Sequence, residues 1–366
     1  LLGGALFAFV LLPFLGLTYT PVLIGSLNLL VASLVLWHFS NHLTRPRILN
    51  IQFAVLLIIS VLAFSVAKPI VLYGEQHKYK DKIIYQEQTR YQKIVVTQWK
   101  DNFWLFINGS TQFSTYDEER YHEPLVHPVM SLLKEHKDIL LLGAGDGLAA
   151  REILKYSDVE SLTLVDLDPA ITRLARQHKM FLGINQGSLN DPRVRVLNKD
   201  AYQFMKESSD LYDAIIIDLP DPKSVSLSLL YSLGFYKMVE KHLKPFGAMV
   251  TQSTSPLYSP EAFLCIKKTM QAANFSTLPY QNSIPSMGQW GWVLGIRKKI
   301  MPAKRLKEKV IAQKSPEVET RFFNQNAMIS MAYFGKGLFE KEEKIEPNTQ
   351  FNHNILKYYR QGSWDL

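Results

Sequence analysis

Leu140-Leu141-Leu142-Gly143-Ala144-Gly145-Asp146-Gly147 runs from an apolar strand into glycines and then into a helix. Glycines let the backbone turn tightly and approach a nucleoside closely, and ligands of open α/β sheets bind at the carboxyl ends of the strands. The third glycine of a dinucleotide fingerprint would fall at position 148, where Leu148 stands, so a nicotinamide reading loses support. Outward from this point strands and helices alternate. Ile139–Leu142, Ser161–Val165, Val194–Leu197, Ala214–Ile217 and Ala248–Gln252 read as buried strands, and Ala149–Tyr156 and Pro169–Gln177 as helices. Such a series implies an α/β fold with a doubly wound, mostly parallel, Rossmann-like sheet.

Upstream the pattern changes. Lys93–Gln98 and Phe103–Ile107 are short runs of β-branched and aromatic residues, and Asn108-Gly109 is a hairpin turn signal, so a small antiparallel β unit precedes the sheet. In Asp117–Lys134, Tyr121, Leu125, Val129 and Leu132 recur at helical spacing.

Hydrophobic residues make up 47% of the 366-residue chain, a mean that hides a very apolar N-terminal fifth. Leu1–Leu17, Val22–Phe39 and Ile51–Ala67 carry no charge, and each is about the 17 to 25 residues that a bilayer core requires. Up to three membrane helices are predicted, with Pro13 and Pro21 tolerated where neighbouring helices satisfy the freed backbone groups. With no initiator Met and no basic leader, the chain is expected to begin inside a longer membrane domain. Arg45 and Arg47 lie before the third span, and Lys68, Lys78, Lys80 and Lys82 after it. The positive-inside rule therefore predicts a multi-pass protein of the cell membrane whose C-terminal part faces the cytoplasm. A single cysteine, Cys265, excludes an internal disulfide and agrees with a reducing compartment. The net charge of +8 is scattered, with no basic helix or RNA-binding aromatic signature, so nucleic acid is not an expected partner. The predicted order is membrane helices (1–70), small β domain (80–115), catalytic domain (116–300) and a C-terminal extension (301–366) to which the sequence assigns no role.

Carboxylates fall at three successive strand ends. Asp166, roughly twenty residues beyond Asp146, sits where a carboxylate accepts both hydroxyls of a ribose. Asp200-Ala201 ends the third strand, where methyltransferase-like folds bind an adenine amino group. Ile217-Asp218-Leu219-Pro220-Asp221-Pro222 puts two carboxylates at the tip of the fourth. Polyamines are ammonium ions with pKa near 10, so a transferase acting on them needs carboxylates to hold the cation and to deprotonate the attacking nitrogen. Taken singly, such aspartates are more often helix caps or Asp-Pro turns.

Together these residues resemble the spermidine synthase family over about Tyr91–Lys298. The ordered set is Tyr91-Gln92-Lys93-Ile94, Asn108-Gly109 with Gln112, Asp117-Glu118, Tyr121-His122-Glu123, Gly143–Gly147, Asp218–Pro222, Leu230-Tyr231-Ser232 with Phe235-Tyr236, and Gln252. Pro285–Trp292 is similar to the branch whose catalytic domain follows a multi-span membrane region. The resemblance implies an aminopropyltransferase with decarboxylated S-adenosylmethionine as co-substrate, no prosthetic group and no metal, and a polyamine acceptor, putrescine first among candidates. It implies Asp218 as the base, Asp221 and Tyr121 holding the acceptor, and Gln92, His122 and Asp146 holding the aminopropyl end. Asp166 would hold the ribose, Asp200 and Ala201 the adenine, and Gly143 and Gly145 the nucleoside loop. It leaves a homo-oligomer open. Two departures stand out: the family run Gly-Gly-Gly-Asp-Gly-Gly reads Gly-Ala-Gly-Asp-Gly-Leu here, with Ala144 and Leu148 in place of glycines, and Ile284 replaces a Tyr that many soluble members place two residues before the serine matching Ser286. The second removes an acceptor contact. The rivals are a membrane-tethered methyltransferase, which shares the sheet, the glycines and Asp166, and a non-catalytic nucleoside-binding scaffold, whose mark would be loss of Asp218 or Asp146.

Overall fold

The structure is a computed structural model, described for residues 2–7, 11–39, 46–313 and 316–364. The chain divides into two compact units, Leu1–Gln86 with Thr97–Asp101, and Glu87–Val96 with Asn102–Leu366.

In the first unit the helical run Leu12–His38 covers the end of the first expected span and nearly all of the second, as two helices that meet at a kink. Its regular path breaks at Gly16 (φ 62°), and the Thr20 hydroxyl donates to the Gly16 carbonyl at 2.6 Å. That bond answers the polar group the break exposes. A second helical run covers Pro46–Gln76, and Ser26 Oγ and Ser60 Oγ couple the two at 2.9 Å. Among the described residues two helical stretches have the length and composition to cross a bilayer, Tyr19–His38 and Arg47–Ala67, with almost none of their side chains buried. Part of the first expected span (Leu1 and Ala8–Val10) and Arg45 lie outside the described residues.

Strands β1 (Lys82–Gln88), β2 (Lys93–Trp99), β3 (Asn102–Ile107) and β4 (Ser110–Ser114) form a four-stranded sheet in chain order. Ile107 pairs with Ser110, so Asn108 and Gly109 form a two-residue hairpin loop, both with positive φ, as a primed turn requires.

The second unit is built on a seven-stranded sheet. Its strands are β5 (Asp138–Gly143), β6 (Ser161–Asp166), β7 (Val194–Asn198), β8 (Tyr212–Asp218), β9 (Leu243–Gln252), β10 (Phe275–Ile284) and β11 (Gly288–Arg297), in the order β10-β11-β9-β8-β5-β6-β7. From β9 to β7 all neighbours are parallel, whereas β10 and β11 add an antiparallel edge. The run Leu140–Leu142 with Ile215–Ile217 is wholly buried, as a strand covered on both faces must be. The chain passes from β5 to β6 on one side and returns to β8 on the other. The crevice outside the carboxyl ends of β5 and β8 is therefore the topological switch point, where ligands of such sheets bind.

Candidate active site

Gly143 ends β5 and pairs with Asp218 at the end of β8. Its φ is +83°, and a Cβ there would stand 2.0 Å from the Asp218 carbonyl oxygen, so only glycine fits. Gly145 is held to glycine differently: a Cβ would meet Asp166 Oδ2 at 2.6 Å. Between them Ala144 takes φ +57°, the left-handed region that L residues avoid. The loop thus brings the ends of β5, β6 and β8 into backbone contact.

Each carboxylate is fixed by its own donors. Asp146 Oδ1 accepts the Leu148 amide at 2.8 Å, opening the helix Leu148–Leu154. Asp166 accepts from the Gly145 amide at 3.0 Å on Oδ2 and from the Asp168 amide at 2.9 Å on Oδ1. Asp218 Oδ1 accepts the Tyr121 hydroxyl at 2.6 Å. Tyr121 is buried in the helix Glu119–Leu132, edge-on to Trp292 with ring centroids 5.4 Å apart. Loss of hydration dominates the titration of all three carboxyls. Burial pushes Asp218 up to about 6 against the Tyr121 hydrogen bond and the His122 charge. It pushes Asp166 to about 6 against its two backbone donors. Asp146 is also raised by burial, with the charge of His122 opposing.

His122 follows Tyr121 on the same helix, and its Nδ1 lies 3.0 Å from Glu118 Oε2. Burial works to lower the His122 pKa, but the hydrogen bond and charge of Glu118 outweigh it, and the net direction is up. Glu118 is held in turn by Arg151 Nη2, 2.9 and 3.0 Å from its two oxygens, and by Arg321. Burial alone would raise Glu118, yet His122 and the two arginines bring it down to about 2. His122 is thereby biased towards its protonated form, whose charge opposes the rise in the Asp146 and Asp218 pKa values.

Asp221 lies three residues beyond Asp218. It accepts the Tyr359 hydroxyl at 2.9 Å on Oδ2 and the Gln252 amide at 3.4 Å on Oδ1. Burial raises its pKa, while the Lys223 charge and these hydrogen bonds oppose. The turn that carries it is pinned from below: Tyr231 Oη donates to the Leu219 carbonyl at 2.9 Å, and Gln252 Nε2 to the same carbonyl at 2.6 Å.

Not every residue singled out in the sequence joins this cluster. Asp200 is exposed and caps the helix Ala201–Glu207, accepting the Gln203 amide at 2.8 Å, with Ala201 buried behind it. Gln92 is half-buried, and its amide donates to Thr89 Oγ1 at 3.0 Å. Thr89 also donates to Asp168 Oδ2 at 2.8 Å, which ties the Gln92 segment to the end of β6. Sequence reasoning missed Arg151, Arg321 and Tyr359 entirely, and gave Glu118, Tyr231 and Gln252 no role of their own. Among the described residues no cluster of His, Cys, Asp and Glu is arranged to hold a metal ion.

A doubly wound sheet with carboxylates gathered at its switch point places this chain in the class of α/β proteins that bind ligands outside the carboxyl ends of their strands. Within that class the sequence model of the spermine/spermidine synthase domain matches residues 118–308. A polyamine aminopropyltransferase of Oceanobacillus iheyensis is 39% identical over 97% of this chain and 67% of its own length. One from Leptospira interrogans is 38% identical over 98% of this chain and 70% of its own. Among solved structures, a spermidine synthase in complex with the transition-state analogue AdoDATO matches with TM-score 0.63 and 26% identity, covering 72% of this chain and 89% of that one. The spermidine synthase of Thermotoga maritima matches with TM-score 0.62 and 26% identity, over 72% and 88%. The chain belongs to the spermine/spermidine synthase family.

Proposed function

We propose that this chain transfers the aminopropyl group of decarboxylated S-adenosylmethionine to an amine, with putrescine the first candidate acceptor, and releases 5'-methylthioadenosine. The observation that carries the reading is Asp218. It is a carboxylate at the switch point, kept by burial at a pKa of about 6, oriented by the Tyr121 hydroxyl and backed against the glycine loop.

In the reaction the lone pair of the acceptor nitrogen attacks the propyl carbon bonded to sulfonium. The carbon–sulfur bond breaks with its electrons going to sulfur, so the leaving group departs neutral and needs neither metal nor acid. Asp218 takes the proton that the nitrogen loses. A base with pKa near 6 is ionised at neutral pH yet basic enough to help, the compromise that general-base catalysis favours. Asp221 and Tyr121 hold the acceptor ammonium. Asp146 and His122, with Gln92, line the aminopropyl end, while Asp166 takes the ribose hydroxyls between Gly143 and Gly145, and Asp200 with Ala201 borders the adenine. Ordinary S-adenosylmethionine carries a carboxylate beside the amine that Asp146 attracts, so Asp146 repels it. Donor choice becomes electrostatic discrimination. Most of the remaining rate comes from holding two cations in line, which carboxylates on three strand ends are placed to do.

The finer reading is a membrane-anchored, multi-pass member of the family with its catalytic unit on the cytoplasmic side. Its support is the exposure of the apolar helices at Tyr19–His38 and Arg47–Ala67, together with the lysines that follow them. Extraction at alkaline pH tests it, because protein released without detergent would contradict the anchor.

The activity is tested by incubating the full chain with decarboxylated S-adenosylmethionine and a panel of amines, followed by mass spectrometry. The account expects equimolar aminopropylated amine and methylthioadenosine. Methylated product from S-adenosylmethionine, with no methylthioadenosine from any amine, would favour the methyltransferase rival.

A further inference from the structure

The C-terminal extension reaches back to the turn that carries Asp221. The helix Asn354–Arg360 carries Tyr359, whose hydroxyl donates to Asp221 Oδ2 at 2.9 Å across 138 positions of sequence. The approach to that helix is locked by Asn348. Its amide donates to Thr269 Oγ1 at 2.8 Å, its side-chain Nδ2 donates to the Ser228 carbonyl at 2.8 Å, and its carbonyl accepts from the Leu233 amide at 2.8 Å. Ile355 is fully buried, and the Tyr359 ring packs on Trp364 with centroids 4.7 Å apart. Packing therefore places the ring, and the hydroxyl is left with one task, to orient a carboxylate.

We propose that Tyr359 is a positioning residue of the acceptor site: by holding Oδ2 of Asp221 it turns Oδ1, which accepts the long 3.4 Å hydrogen bond from Gln252, towards the incoming ammonium. The proposal rests on the reading of Asp221 as the acceptor's anchor. It gives the extension a role in amine recognition, and it puts a phenol on the acceptor wall of a chain whose Ile284 lacks the tyrosine of many soluble relatives. The groups that face Asp221 are Lys223 on its own turn, Gln252 and Thr254 at the end of β9, Tyr231, Tyr121 and Tyr359. Lys223, Tyr359, Gln252 and Thr254 favour its charged form.

The test is Tyr359→Phe, which keeps the ring and its packing and removes the donor. The amine KM is expected to rise roughly tenfold, the scale of one hydrogen bond to a charged group, with kcat and methylthioadenosine affinity nearly unchanged. The rise should be larger under mildly acid conditions, because Asp221 without its donor protonates more readily. Adding Tyr359→Phe to Asp221→Asn should change the amine KM no further, since a residue that acts through another is not additive with it. An unchanged amine KM, additivity in the double variant, or loss of methylthioadenosine binding along with amine binding overturns the proposal. Absence of turnover with every amine in the unaltered chain overturns the functional reading beneath it instead.

Discussion

The two walls of the cleft are built on different plans. The proposed donor wall comes from the ends of β5 and β6, where Gly143, Gly145, Asp146 and Asp166 lie within 23 positions of one another and backbone amides of the same stretch fix both carboxylates. The proposed acceptor wall hangs on the turn after β8. Asp221 is held by Gln252 from 31 positions away and by Tyr359 from 138 away, while Asp218 is held by Tyr121 from 97. A nucleoside presents the same hydroxyls to every enzyme of this class, and a compact loop serves it. An amine acceptor varies in length and charge spacing, and the wall that meets it is assembled from distant segments that can change one at a time.

That division predicts where substitutions act. Asp218→Asn should be the most severe, lowering kcat on the order of 10²- to 10⁴-fold, because it removes the proton acceptor and little else. Donor binding should survive in calorimetry. Retention of more than about a tenth of turnover would move the base to another group. Next in size is the acid limb of the rate profile. Asp218 must be ionised to accept a proton, so kcat/KM should fall below about pH 6. Tyr121 stabilises the charged form, so in Tyr121→Phe that limb should move to higher pH, and an unmoved limb would detach Tyr121 from the base. Asp221→Asn should raise the amine KM on the order of tenfold or more, with a smaller fall in kcat, because a cation is held in both ground and transition states. An effect on donor KM instead would erase the distinction between the walls. The smallest effect belongs to the donor loop itself. Ala144→Gly relieves a left-handed alanine and should stabilise the fold by about 1 kcal/mol in thermal unfolding, without altering the amine KM.

The same contrast accounts for what the sequence could reveal. The parallel strands were legible because buried strands are continuous apolar runs, and the expected ranges agree with β5 to β9 within a few residues at most ends. The antiparallel edge of β10 and β11 was not, since Gln281, Asn282, Ser283, Gln289 and Gly291 interrupt its apolar pattern. Gly143 to Asp166 was legible because the chemistry is local. Arg321 and Tyr359 were not, because nothing near them in sequence marks them as partners of Glu118 and Asp221. Asp200, expected at the adenine, caps the helix Ala201–Glu207, a contact that a strand-end aspartate makes whether or not it also meets a ligand.

The measurement closest to the central claim is calorimetry of three ligands on the unaltered chain: methylthioadenosine, decarboxylated S-adenosylmethionine and S-adenosylmethionine. Carboxylates that line the cleft should accept the first two and bind the third at least about tenfold more weakly, one misplaced charge costing 1.4 kcal/mol or more. Equal affinity for the two sulfonium donors would contradict the account, because Asp146 would then not be reading the charge of the group to be transferred.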